Sequence, residues 1–138
     1  AAEIVFKSGL PITVMPLDVT HKALTTPRRI DAFRAMDTQV GRMTVAWTDF
    51  FERFDKEKYG SDGAPLHDPT VIAYMIQHDL LKGSQINVEI ETQSELTMGM
   101  TVADWWGVTD RAPNCTFMGD LDADGFFDLL ATRLARLA

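Results

Sequence analysis

The chain has 138 residues, a net charge of -7, 46% hydrophobic and 24% charged residues. That is the size and make-up of one globular domain with a buried core, and the acidic balance without a basic stripe argues against a nucleic-acid backbone as partner. A single cysteine, Cys115, rules out an intrachain disulfide and fits a reducing compartment; with no apolar run near the roughly 18 residues of a membrane span and no signal peptide, a soluble cytoplasmic protein is expected.

The opening AAEIVFKSG reads as the last turns of a helix, with Gly9 as its stop and Pro11 just beyond. No start signal precedes it, so the native chain is expected to continue upstream; removal of an initiator methionine before a small residue is the other account of a start at Ala1. LPITVMPLDVT follows, apolar at Ile12, Val14 and Leu17 and bounded by prolines, as a short buried strand of a parallel sheet. TTPRRIDAFRAMDTQV is a helix with Thr26 as N-cap and Pro27 at its first position, and Ile30, Phe33, Met36 and Val40 share one face. A second helical pattern after Gly41 puts Met43, Trp47, Phe50, Phe51 and Phe54 inside and Asp49, Glu52, Arg53 and Asp55 to Lys58 outside, ending at Gly60. SDGAP is a loop. A third helix is expected from Pro69 to about Leu81, burying Val71, Ile72, Met75 and Ile76.

QINVEIET alternates strictly, with Ile86, Val88 and Ile90 on one face and Asn87, Glu89 and Glu91 on the wet one, as a strand does. GMTVADWW and CTFMGDL are further strands, and a C-terminal helix carries Phe126, Phe127, Leu130, Leu134 and Leu137. The fold class is α/β, layered, in a single domain over 1–138, with no repeat, low-complexity segment or internal linker.

Several residues invite a chemical reading and have a plainer one. DLDADGFFD opens like a calcium loop, with Asp120, Asp122, Asp124 and Gly125, but its twelfth position is Ala131 where such a loop needs a bidentate glutamate. An acidic turn favouring the next helix N-terminus is the simpler account. Trp105 and Trp106, neighbours in a strand, would face core and surface. His21, in LDVTH after a strand end, stands where α/β proteins place ligands, yet ordinary turn and cap bonds also explain that stretch. His78 suits a helix C-terminus, and Cys115 a buried position.

GAPLHDPTVIAY sets His67 and Asp68 side by side at the mouth of the third helix. Asp68 before Pro69 has the form of an N-cap followed by proline. The alternative is a site: a carboxylate for a cation or for hydroxyls, with an imidazole beside it as proton donor.

Four segments in order and spacing, GLPITVMPLDVTHKAL, APLHDPTVIAYMI, VEIETQSELTMGMTVADWW and DADGFFDLL, resemble the C-terminal portion of the inosine–uridine-preferring nucleoside hydrolases, over essentially the whole chain. The resemblance implies an open, largely parallel sheet flanked by helices, here incomplete, that binds substrate at the carboxyl ends of strands. It implies hydrolysis of the bond between ribose and base through an oxocarbenium-like transition state, with calcium holding the ribose hydroxyls and the attacking water. By position, Asp68 matches the family's late calcium ligand, which also touches the ribose hydroxyls, and His67 the general acid toward the departing base. Tyr59, and less closely Asp55, match substrate-contacting positions in the helix before that loop.

The family's aspartate cluster, of the form D-x-D-P-G-x-D-D, has no counterpart; the single Asp-Pro is Asp68–Pro69. The mid-chain asparagine and glutamate that grip ribose also lie upstream of a segment like AAEIVF. The expectation is therefore a C-terminal fragment, inactive alone and without tightly bound calcium. Its expected partners are the missing N-terminal half, further copies of itself in a homo-oligomer, and the ribonucleoside of the complete enzyme. A non-enzymatic scaffold or oligomerisation domain on the same fold is the alternative.

Overall fold

The computed structural model describes residues 1–137, with all their side chains except those of Phe54, Asp55, Lys56, Lys58 and Tyr59. In chain order these are helix α1 (Ala2–Phe6), strand β1 (Thr13–Val14), a helical turn α2 (Leu17–Thr20), and helices α3 (Pro27–Arg34), α4 (Gln39–Tyr59) and α5 (Asp68–Ile76). A 3-10 turn, His78–Leu80, leads to strands β2 (Leu81–Ile86), β3 (Val88–Ile90), β4 (Thr101–Ala103) and β5 (Cys115–Leu121), then helix α6 (Ala123–Leu134). The expected α/β class holds. The chain forms two compact units, one of Ala1–Pro16 with Gly83–Gly119, the other of Leu17–Lys82 with Asp120–Ala138.

The first unit is built on strands. They order as β1-β5-β2 in one sheet and β3-β4 in another. β1 runs parallel to β5, Val14 opposite Phe117, and β3 pairs antiparallel with β4, Glu89 opposite Val102. Ile86, Val88, Cys115 and Phe117 are buried together, with Phe6, Ile12 and Val14 packed against them. Burial pushes the Cys115 thiol above its ordinary pKa.

The alternating run QINVEIET is not one strand. Ile86 ends β2 and Val88 starts β3, and Asn87 between them is buried instead of wet. Its amide donates to Ala112 O at 2.9 Å. Asn114 supplies the ladder bonds Val88 would otherwise lack, accepting from its N–H at 2.9 Å and donating to its carbonyl at 2.8 Å. Trp105 and Trp106 follow β4 in a turn, not in a strand. Neither is a core residue: Trp105 meets Phe117 edge-on at 5.5 Å yet is 41% exposed, and Trp106 is 89% exposed.

The second unit is built on helices. Ile30 and Phe33 of α3 and Phe126 and Phe127 of α6 are buried, with ring centroids 6.4 Å apart for Phe33 and Phe127. The Arg29 guanidinium lies 4.6 Å over the Phe127 ring and pairs with Asp124 at 2.8 Å. Thr26 is extended before Pro27, as an N-cap should be, although its side chain makes no capping bond. The acidic turn is spent on structure: Asp120 binds Lys22 at 2.6 Å, and Asp122 caps α6 by accepting from Gly125 N–H at 3.0 Å.

Three expectations are corrected in this unit. Leu17 begins a helical turn closed by the His21 N–H to Leu17 O bond of 2.9 Å, so the strand stops at Val14. The third helix ends at Ile76, and Leu81 already belongs to β2. The apolar faces of α4 and α5 are not buried. Met43, Trp47, Phe50 and Phe51 are exposed, with Phe50 at 73%, while Thr48 and Glu52 on the other face are buried. Val71, Ile72, Met75 and Ile76 are likewise exposed, and Thr70 and Ala73 are buried in their place. Phe54, expected inside, lies outside the described side chains.

Candidate active site

The loop before α5 is stitched to the segment after α2. Thr25 N–H donates to Ala64 O at 2.9 Å, and Leu66 N–H to Ala23 O at 3.0 Å, with Leu24 and Pro65 forming a bridge. The Thr25 hydroxyl and Ala64 exchange two more bonds, each of 3.0 Å. Such close approach requires Gly63, since a Cβ there would come within 2.6 Å of Thr25 O. At the next residue after this stitch, His67, the chain enters α5.

His67, not Asp68, is the N-cap of α5, and its side chain makes no capping bond. Its carbonyl accepts from Thr70 N–H at 3.1 Å and from the Thr70 hydroxyl at 2.6 Å. Its imidazole Nδ1 lies 2.8 Å from the hydroxyl oxygen of Thr20, and its ring sits 5.5 Å from that of His21, tilted by 49°. Asp68 is the first helical residue, exposed, and its carboxylate has no hydrogen bond or ion pair among the described residues. Capping therefore does not account for Asp68. A free carboxylate in the first turn is favoured electrostatically and stays available to a ligand.

His67 and Asp68 open onto a groove of about 590 Å³ whose other walls include Trp47, Phe50, Phe51 and Leu130. The site thus pairs two polar side chains with an apolar wall, the usual composition of a small-molecule cleft. Tyr59 and Asp55 lie outside the described side chains. His78 faces Tyr74, centroids 4.5 Å apart, and takes no part. His21 does join His67, and Thr20 is the residue that sequence reasoning passed over. Thr20 and His67 are 47 positions apart, and the one hint was the place of LDVTH after a strand end.

Among the described residues no group of three or more His, Cys, Asp or Glu is placed to hold a metal ion. Calcium takes six to eight oxygens. Asp68 alone does not fit it, so these residues do not compose a calcium site.

A family sequence model described as inosine-uridine preferring nucleoside hydrolase matches residues 1–128. The chain is 46% identical over 139 residues to the pyrimidine-specific ribonucleoside hydrolase RihA of Enterobacter sp. (strain 638), covering 100% of this chain and 44% of that protein. It is 45% identical over 137 residues to an uncharacterized protein of Schizosaccharomyces pombe, covering 99% of this chain and 44% of the relative. The solved purine-preferring ribonucleoside hydrolase from Gardnerella vaginalis superposes with a TM-score of 0.83 at 28% identity, over 99% of this chain and 43% of that one. The chain spans less than half the length of the curated relatives it matches and corresponds to their C-terminal part. Fold, motif order and family match agree: this chain belongs to the inosine-uridine preferring nucleoside hydrolase family.

Proposed function

We propose that the chain is the C-terminal portion of a cytoplasmic ribonucleoside hydrolase, which cleaves the N-glycosidic bond to release ribose and base. The observation that carries this reading is His67, anchored through Nδ1, beside the unpaired carboxylate of Asp68 at the rim of an apolar groove, in a chain of this family. His67 acts as the general acid, passing a proton to the base as the bond breaks and positive charge builds on the sugar. Asp68 receives the ribose hydroxyls and contributes one ligand to the calcium of the complete enzyme. Tyr59 and Asp55 contact substrate. The relatives at 44–47% identity that carry a specificity in their names are pyrimidine-specific, so uridine or cytidine is the proposed substrate.

The remaining carboxylates and the base that activates water come from the part of the relatives this chain does not span, and the chain alone is inactive. That part also covers the apolar face of α5, which lies outside the groove. The test is a chimera in which this chain replaces the matching C-terminal part of a RihA-type hydrolase. Uridine hydrolysis is expected from the chimera and not from the 138-residue chain. His67→Ala in the chimera should lower kcat by about 10²–10⁴-fold. Turnover by the isolated chain, or a chimera indifferent to His67→Ala, would overturn the reading.

A scaffold reading has one observation in its favour, the uncovered apolar faces of α4 and α5. A chimera that folds, binds uridine and does not hydrolyse it would support it.

A further inference from the structure

We propose that Thr20 is the positioning residue of His67: its hydroxyl holds Nδ1, so that Nε2 is the nitrogen that exchanges a proton with substrate. The inference rests on the reading of His67 as a general acid, but its geometry stands independently. Thr20 is 2% exposed, at the end of α2, and its hydroxyl oxygen has two neighbours: Nδ1 of His67 at 2.8 Å and Leu17 O at 3.5 Å. Leu17 O already accepts the His21 N–H at 2.9 Å. A carbonyl oxygen accepts two hydrogen bonds, so the hydroxyl proton goes to Leu17 O and the hydroxyl oxygen accepts from a proton-bearing Nδ1. This makes the neutral imidazole the Nδ1–H tautomer and leaves Nε2, turned away from Thr20, free to take up and release a proton.

The same hydroxyl serves the neutral and the charged ring alike. When Nδ1 carries a proton, Thr20 accepts it and turns its own proton toward Leu17 O. That arrangement holds for the imidazolium before transfer and for the Nδ1–H imidazole left once Nε2 has given its proton to the departing base. Proton count is conserved throughout: one proton leaves Nε2, one arrives on the base, and the hydroxyl keeps its orientation. The Thr70 bonds to the His67 carbonyl fix the backbone, and His21 lies against the ring. Thr20 thus acts on ring orientation and on the identity of the exchanging nitrogen, and does not touch substrate.

Valine is nearly isosteric with threonine but has no hydroxyl, so Thr20→Val separates positioning from packing. The first readout is imidazole ¹⁵N NMR of the 138-residue chain at a pH where the ring is neutral. The wild-type His67 ring is expected as the Nδ1–H tautomer. Thr20→Val should give a mixture of tautomers and Thr20→Ser should keep the wild-type pattern. A wild-type ring protonated at Nε2 would overturn the proposal whether or not the variants fold. So would a folded Thr20→Val chain with an unchanged ring spectrum. The second readout is the chimera described above: Thr20→Val should lower kcat about 10-fold or more with KM little changed, and Thr20→Ser should restore it. NMR results as expected with a chimera inactive in every form would reject the hydrolase reading and leave the anchoring of His67 intact. An active chimera whose kcat ignores Thr20→Val would reject the positioning role.

Discussion

Single contacts decide whether His67 is held at the rim of the groove. Gly63 is the tightest: a methyl group would meet Thr25 O at 2.6 Å and Thr25 N at 3.1 Å, so the loop must yield. Gly63→Ala is expected to destabilise the chain by about 1–3 kcal/mol and to loosen the Thr25–Ala64 bonds, measured as a lower urea midpoint and faster amide exchange at Thr25 and Leu66. The exposed carboxylates give a second residue-scale effect. Hydrogen bonds from Arg29, Lys22 and Thr109 hold Asp124, Asp120 and Asp104 respectively below their ordinary pKa. Because the folded value lies below the unfolded one, each contributes stability above the unfolded pKa of about 3.9, lost as pH falls through the folded value. Thermal melts should therefore fall below about pH 4, and Asp124→Asn should make that fall shallower.

At the scale of elements, α4 and α5 carry their apolar stripes as read from the sequence, but on the face left uncovered. Trp47 at 67% and Met75 at 68% exposure contribute little to the fold of this chain, whereas Phe33 is buried against Phe127. Phe33→Ala should cost about 3–5 kcal/mol. Phe50→Ser and Met75→Ser should each stay within about 0.5 kcal/mol by urea denaturation, and should reduce self-association in sedimentation velocity. If the Phe50 change were as costly as Phe33→Ala, the uncovered face would be ruled out. The periodicity located these helices and their stripes. It could not say whether a partner surface exists, because a stripe records only which side chains prefer to leave water.

At the scale of the whole molecule, the chain matches 44% of the length of its curated relatives and brings one free carboxylate to the rim of the groove. A single carboxylate gives calcium too few oxygens for tight binding. Calorimetry on the isolated chain should show millimolar binding or none, and micromolar binding would sink the proposal that the other ligands come from elsewhere. No helix among the described residues is long and apolar enough to cross a membrane.

Local chemistry is what the chain order alone made legible. Proline at the start of α3, the short apolar run of β1 between prolines, the acidic turn before α6, and the adjacency of His67 and Asp68 all depend on neighbours a few positions away. The family resemblance added their roles. Long-range pairing was not legible. The run through Asn87 looked like one strand because alternation is blind to which sheet takes each half. Asp68 looked like a cap because its sequence context is that of one, and the backbone instead gave that position to His67. The Thr20 bond to His67 joins residues 47 apart, brought together by the stitch around Gly63. Hydrogen bonds across such a span follow from how the backbone closes in space, and no local pattern encodes that closure.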